Sequence, residues 1–378
     1  MPPSSGNTTF RWLRSGREAF ASMIESIDGA QRSVRLEMYI FQESPLGLQF
    51  RDALVRAAER GLKVQVMNDA VGSFGLSSSF WDPLSKAGGE FRWFNPLKFG
   101  RMTYRDHRKI LVCDENAGFV GGFNIAPEYD GDGVTAGWRD LGMKIRGQLA
   151  RELAEAFDAS FARADFAYKP LLRLRRTDFK SASATGSWSL LLGGPGRGYN
   201  YMKRTLAGDL AEAKDVQIIC AYFLPTWRLR RELLGVCQRG GRVRLILAGK
   251  SDIRVSKLAT QRLYKMLLKK GVEIYEYQPQ VLHAKLFIIG KHAYVGSSNL
   301  DARSLNINYE VLVRVCEPHI VAEGRDIFED ALKHCQRVDP ATWRKARSLW
   351  TKIMEDWAYF VLARVDPYLA RQRLGNIQ

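Results

Sequence analysis

The chain has 378 residues, enough for two domains of ordinary size or one large unit with an internal repeat, and its 46% apolar and 26% charged residues are the composition of a folded globular protein. Its 57 basic against 40 acidic residues leave a net charge of +17, which points to an anionic partner: nucleic acid, anionic lipid or a phosphate-bearing substrate. Five cysteines with no C-x-x-C argue against a disulfide framework or a zinc site, and no apolar run reaches the roughly 18 residues of a spanning helix, so a lipid-handling protein of this sequence is expected to reach the bilayer from one side.

In chain order, the opening MPPSSGNTTFRWLRSG lacks the apolar core of a signal peptide. Val34–Phe41 is an apolar, β-prone run. Leu46–Arg60 has helical spacing and stops at Gly61, Lys63–Asn68 is a second strand, Ser77–Ala87 a second helical stretch and Glu90–Phe94 a third strand. Trp93–Tyr104 is aromatic, apolar and basic at once, which suits either a loop dipping into lipid headgroups or one packed over the core. His107-Arg108-Lys109 follows, then a strand ending at Asp114, a short return strand and Gly121–Asn124, and then Asp140 in the strand-like WRDLGMKI. Arg163–Ser187 turns from basic to Ser/Ala/Thr/Gly-rich and reads as a linker.

The same series then recurs. Val216–Phe223 is a strand, Trp227–Arg239 a helix stopped by Gly240 and Gly241, Arg242–Leu247 a strand, Lys257–Lys270 a helix and Val272–Tyr277 a strand. His283-Ala284-Lys285 comes next, then Gly296–Asn299, then Glu310 in NYEVLVRV. The tail carries Trp343, Ala346, Trp350, Ile353, Trp357 and Phe360 at helical spacing with basic residues between them. It is expected to be an amphipathic helix, interfacial or docked on the core. The expected organisation is an N-terminal half at 1–165, a linker at 166–187, a C-terminal half at 188–338 and a helical tail at 339–378. Each half is an α/β layered unit whose continuous apolar strands are covered on both faces.

A single H-x-K occurs by chance. Two copies among only five histidines, each followed by a Gly-rich turn and an Asn, carry weight. Residues i and i+2 of a strand share a face, so His107 and Lys109, and His283 and Lys285, are expected to point the same way. The return strands would bring Asn124 and Asn299 beside them, and Gly122 and Ser297 are small enough for a phosphate to approach. Lysine and asparagine donors suit the non-bridging oxygens of a phosphodiester. One histidine can attack phosphorus while a second protonates the leaving oxygen. Asp140 and Glu310 are expected to orient His107 and His283. His292, His319 and His334 have no such context and read as structural or surface residues.

These residues resemble the HxK(x)4D(x)6GGxN signature of the phospholipase D superfamily, in two copies covering most of residues 30–335. HRKILVCDENAGFVGGFNIAPEY, HAKLFIIGKHAYVGSSNLDARSLNINYE and ICAYFLP are most similar to short bacterial cardiolipin synthases. The resemblance implies two pseudo-symmetric halves, each a mixed sheet flanked by helices, with one active site at their interface and neither metal nor other cofactor. It implies ping-pong transfer through a phosphohistidine: His107 as nucleophile, His283 as general acid and then base, phosphatidylglycerol as donor and acceptor, and cardiolipin and glycerol as products. It places the enzyme peripherally on the cytoplasmic face of a bacterial inner membrane. Asp114 belongs to the signature as a brace, and its counterpart in the second copy is Gly290, a departure that predicts weaker local support there.

The rivals are a superfamily nuclease, a simple hydrolase and a non-catalytic lipid-binding protein. Trp93–Tyr104 and the Trp-rich tail favour lipid over nucleic acid, and the complete His/Lys/Asn sets argue for catalysis.

Overall fold

The computed structural model describes residues 8–95, 104–164, 181–195, 199–345 and 347–368. The chain divides into two compact units, Met1–Leu174 and Arg175–Gln378.

Unit 1 is built on a seven-stranded mixed sheet. Its strands are β1 (Thr9–Leu13), β2 (Ser33–Met38), β3 (Lys63–Asp69), β4 (Glu90–Phe94), β5 (Lys109–Cys113), β6 (Ala117–Gly121) and β7 (Gly142–Arg146), in spatial order β1-β7-β6-β5-β2-β3-β4. β2, β3 and β4 run parallel, and β5 returns antiparallel beside β2 with Met38 opposite Lys109. Helices α1 (Gly16–Asp28), α2 (Pro45–Glu59) and α3 (Asp82–Lys86) cover the face bearing Val34, Leu36, Leu111 and Phe119. Helix α4 (Gln148–Phe161) covers the other, where its Asp158 and Ser160 hold Arg35 and Arg108. Every residue of β2, β5 and β6 is therefore buried, as continuous apolar strands require.

Unit 2 repeats this plan with a further strand at each edge. Its strands are β8 (Ser181–Ala184), β9 (Trp188–Gly193), β10 (Asp215–Cys220), β11 (Arg242–Lys250), β12 (Glu273–Val281), β13 (Lys285–Ile289), β14 (His292–Gly296), β15 (Glu310–Val315) and β16 (Cys335–Arg337). The order is β16-β12-β11-β10-β13-β14-β15-β9-β8. Read from β9 to β12, this is the order of unit 1 with β10 in place of β2 and β13 in place of β5. Its helices are α5 (Tyr201–Glu212), α6 (Trp227–Gln238), α7 (Arg254–Lys269), α8 (Ala302–Asn306), α9 (Pro318–Leu332), α10 (Pro340–Lys345) and α11 (Leu349–Phe360), the last continued by a π turn at Val361–Val365.

The local signals explain the element ends. Ser44 accepts from Gly47 N at 3.1 Å and Pro45 opens α2. Gly61 and Gly240 end α2 and α6 at φ +81° and +77°, where a side chain would be strained.

Several expectations are corrected. The stretch Ser77–Ala87 is a 3-10 turn at Ser78–Trp81 followed by the short α3. Of the expected linker, 165–180 lies outside the described residues, and Ser181–Ala184 is strand β8, paired with β9. Most of Trp93–Tyr104 and the end of the tail also lie outside them. Helices α1, α4, α5 and α9 had no counterpart in the repeat as read from sequence. All five cysteines are free thiols, with Cys113 and Cys220 buried.

Candidate active site

Both motifs lie where the parallel strands end. In doubly layered α/β sheets the carboxyl ends of parallel strands leave a crevice that side chains from several loops can reach. In unit 1, β2 ends beside the start of β5, which brings Tyr39 against the first motif. The Tyr39 and His107 rings meet edge to face at 4.8 Å, and Lys109 Nζ lies 4.9 Å from the centre of the Tyr39 ring. Lys109 Nζ also donates to His107 O at 2.6 Å. Lys109 is 2% exposed, on the same face of β5 as Leu111 and Cys113. Asn124 reaches the same corner: its Oδ1 accepts from Ile40 N at 3.1 Å and its Nδ2 donates to the Tyr129 hydroxyl at 2.7 Å. His107, Lys109 and Asn124 thus gather around Tyr39, a residue the sequence reading left inside a strand.

The residue between His107 and Lys109 faces the opposite way, as strand alternation demands. Arg108 is buried, donates to Ser160 Oγ at 2.9 Å and lies 3.8 Å from the Glu37 carboxylate. Burial, and then Asp106 beside it, push the Glu37 carboxyl well above its ordinary range. Asp69, at the end of β3, accepts from Asp106 N at 2.9 Å, and burial pushes its carboxyl up to about 6 against the pull of its backbone donors. A lone Glu in the apolar run VRLEMYIF was the available signal for this buried set. In the second copy Ile219 and Ala284 stand in place of Glu37 and Arg108.

Asp140 precedes β7, and its Oδ1 accepts from Leu141 N at 2.8 Å. A Cβ on Gly122 would lie 2.0 Å from Asp140 Oδ1, so Gly122 is small because the carboxylate occupies that space. Asp114 lies just past the far end of β5, roughly 17 Å along the strand from Lys109 at about 3.3 Å per residue. Its carboxylate accepts from the N–H groups of Gln31, Arg32 and Ser33 at 2.9, 2.7 and 3.0 Å. Burial works to raise this carboxyl, and the three donors outweigh it and hold it below its usual range. Asp114 thus ties the end of β5 to the chain entering β2, away from the motif.

In unit 2 the motif is more deeply enclosed. His283 is 4% exposed and Lys285 fully buried. Lys285 Nζ lies 2.9 Å from Nδ1 and 3.1 Å from Nε2 of His283, and it donates to the His283 carbonyl. Asn299 is buried, and its Oδ1 meets no donor among the described residues. A buried unsatisfied acceptor costs about 1–3 kcal/mol, so this amide is poised for a ligand or water. Ser297, expected beside the phosphate, instead donates its hydroxyl to Glu310 Oε2 and accepts from Val311 N at 3.0 Å. The repeat thus places Gly122 against Asp140 and Ser297 against Glu310: the same position serves the carboxylate in both copies. Nearby, burial pushes the Asp301 carboxyl up to about 6 while Ser304 N pulls it down and Glu310 adds to the rise.

The loss of the brace at Gly290 is compensated. Gly290 has φ +58°, matching +56° at Asp114. Arg325 on α9 donates to Gly290 O at 2.6 Å and to Asp215 Oδ2 at 2.6 Å, clamping the two strand ends that Asp114 joins in unit 1. The expectation of weaker support is therefore corrected. Of the remaining histidines, His292 sits 2.9 Å from Asp209 in an ion network with Arg314, and His319 is exposed.

Comparison with known proteins agrees with this arrangement. The chain matches the family described as cardiolipin synthase, PLD-like domain, over residues 23–162 and 206–332. It is 30% identical to cardiolipin synthase 1 of Bacillus anthracis over 94% of this chain and 72% of that protein. It is 32% identical to cardiolipin synthase 2 of Bacillus cereus over 93% of this chain and 70% of that one. Among solved structures, the phosphatidylserine synthase of Haemophilus influenzae shares the fold, with a TM-score of 0.74 at 14% identity, covering 96% of this chain and 95% of that one. With a matched family across both copies of the repeat and relatives aligned over nearly its whole length, this chain belongs to the cardiolipin synthases with a phospholipase D-like domain.

Proposed function

We propose that the protein is a phosphatidyltransferase that joins two phosphatidylglycerol molecules into cardiolipin and releases glycerol through a covalent phosphohistidine. The observation that carries this reading is the duplicated corner: each unit buries a lysine beside its motif histidine and brings an asparagine to the end of the same strands. The family membership and the relatives' names support the substrate.

In the first step an imidazole nitrogen of His107 attacks phosphorus, the bond from phosphorus to the glycerol oxygen breaks, and His283 gives that oxygen its proton. In the second, His283 takes the proton of a head-group hydroxyl from another phosphatidylglycerol, whose oxygen displaces His107 from phosphorus. Lys109, Lys285, Asn124 and Asn299 donate to the non-bridging oxygens as charge builds there, and Asp140 and Glu310 orient the imidazoles. Substitution of Lys285 by Met is expected to lower turnover by at least a hundredfold, since preorganised donors of this kind are worth about 10²–10³ in rate. The enzyme acts peripherally, on the cytoplasmic face of a bacterial inner membrane.

The test is incubation of the protein with phosphatidylglycerol vesicles and EDTA, followed by mass spectrometry of the lipids, with His107→Ala as control. Cardiolipin and glycerol from the wild type alone are expected. Phosphatidic acid alone would mean that water is the acceptor, and cleavage of single-stranded DNA with no lipid product would overturn the substrate class. Trapping by denaturation at neutral to alkaline pH, which spares the acid-labile phosphorus–nitrogen bond, separates the histidines: His283→Asn is expected to accumulate a phosphoenzyme and His107→Asn to form none, and the reverse pattern exchanges their roles.

A further inference from the structure

Helix α11 is apolar on two faces. Ala358 is buried and Tyr359 packs against the core of unit 2. On the other side Trp350, Ile353, Trp357 and Phe360, spaced by three and four residues, are 69, 49, 52 and 59% exposed. A helix that only docks on its own core needs one apolar stripe. A second, exposed stripe with two tryptophans is the composition of a helix lying at a membrane surface.

The stripe runs into a groove. Phe360 forms part of its wall, together with the turn at Leu224–Trp227, Ala302, Ala363–Val365, Pro367 and Tyr368, and the groove has a volume of about 970 Å³. That is at the upper end of the roughly 300–1,000 Å³ of ligand-sized cavities. The lining is apolar apart from a few polar groups, among them Arg230 and Arg364, and includes no carboxylate. Arg230 donates to the Tyr359 hydroxyl at 3.1 Å. Trp227 is 66% exposed, with the Arg231 guanidinium 4.9 Å over its ring. Helix α6 contributes Trp227 and Arg230 to the lining, α7 packs against α11, and Trp227–Lys270, which spans both helices, holds thirteen basic and two acidic residues. Leu224 N donates to Leu300 O at 2.9 Å, which sets one wall a single residue from Asn299.

We propose that the exposed stripe of α11 and the adjoining groove are the seat of unit 2 on an anionic phospholipid bilayer. The stripe lies among the headgroups, and one acyl chain of a bilayer lipid enters the groove beside Arg230 and Arg364. Hydrocarbon matches the apolar lining, lipid phosphate matches the two arginines, and the carboxylate-free wall suits an anionic surface. This seat deepens the phospholipid-transfer reading and rests on it.

The test uses the full chain with vesicles of equal parts phosphatidylglycerol and phosphatidylcholine, and with pure phosphatidylcholine. Sedimentation reads docking, and quenching of tryptophan fluorescence by brominated acyl chains reads depth. The wild type is expected to bind the anionic vesicles at least tenfold more tightly and to be quenched by them. The double variant Trp350→Ser/Trp357→Ser, folded by circular dichroism, is expected to lose about tenfold in partition, and Trp227→Phe to lose part of the quenching. Equal docking of the double variant and the wild type overturns the proposal. So does a wild-type dimer in sedimentation equilibrium that the double variant dissociates, because the stripe is then covered by a second copy. Lipid products measured on the same samples keep the two readings apart. Cardiolipin formed with stripe-independent docking refutes the seat alone. Stripe-dependent docking with no lipid product refutes the transfer reaction alone.

Discussion

Asp114 and Gly290 occupy one place in the repeat, and the same backbone turn is held there by different chemistry. In unit 1 a carboxylate gathers three N–H groups; in unit 2 a guanidinium clamps a carbonyl and a carboxylate. Each brace is remote from its motif, so Asp114→Ala and Arg325→Ala are expected to lower stability by about 1–2 kcal/mol, the scale of lost charge-assisted hydrogen bonds at a partly exposed site, while turnover per folded molecule stays within about twofold. Urea unfolding and single-turnover rates on the same samples check both. Asp301 allows a pH test. Its carboxyl is pushed up to about 6 in the folded chain, above the ordinary value near 3.9 that the unfolded chain restores. The folded state therefore holds the proton more tightly. The resulting stabilisation is complete below about pH 4 and is lost as pH rises through 6. Asp301→Asn keeps the cap on Ser304 N, which Asp301 Oδ1 accepts at 2.8 Å, and removes the titration. The fall in urea midpoint between pH 4.5 and 7.5 should be shallower in this variant, by on the order of 1 kcal/mol in stability.

At the scale of elements, α11 shows how a terminal helix is fastened while leaving an apolar face outward. Its Glu355 is fully buried and pairs with Arg347, whose Nε donates to Glu355 Oε1 at 2.8 Å. Arg347→Ala leaves a buried carboxylate without its cation, which typically costs about 3–5 kcal/mol. Residues 340–368 are then expected to become protease-sensitive at temperatures where the sheet of unit 2 remains folded, and limited proteolysis with mass spectrometry reads this. Strand β5 makes a related point. Alternation sends Lys109 to the site and Arg108 into a buried pair with Glu37, so a change at either position moves a different layer.

At the scale of the whole chain, each unit has its own buried cluster, one built around Val34, Phe50 and Phe119 and the other around Val216, Leu245 and Phe287. The seven-strand order recurs because each copy carries the same sequence of strand and helix periods. The net charge of +17 acts on the molecule as a whole. The screening length falls from about 10 Å at 0.1 M salt to about 3 Å at 1 M. Turnover on phosphatidylglycerol vesicles is therefore expected to drop severalfold over that range, whereas turnover on detergent-dispersed substrate should change less. Equal salt dependence in the two assays would remove surface charge from the account.

The sequence by itself determined the central succession of strands and helices along each copy, the identity of the two motifs and the family. Those properties rest on local signals: apolar periodicity, glycine stops, and His-x-Lys followed in each copy by Gly-x-x-Asn, with one residue fewer between them in the second. It also contained the tail's helical spacing, but not which face would be covered, since Tyr359 and Phe360 are equally apolar and only packing against unit 2 distinguishes them. Tertiary structure alone decided the rest. Tyr39 meets His107 because β2 and β5 are antiparallel neighbours whose contact spans 68 residues of chain. Ser297 serves Glu310 and Arg325 replaces Asp114 because strands and helices distant in sequence are packed within hydrogen-bonding reach. Burial raises Asp69 and Asp301 because desolvation depends on what surrounds a carboxyl, and the surroundings come from every part of the fold.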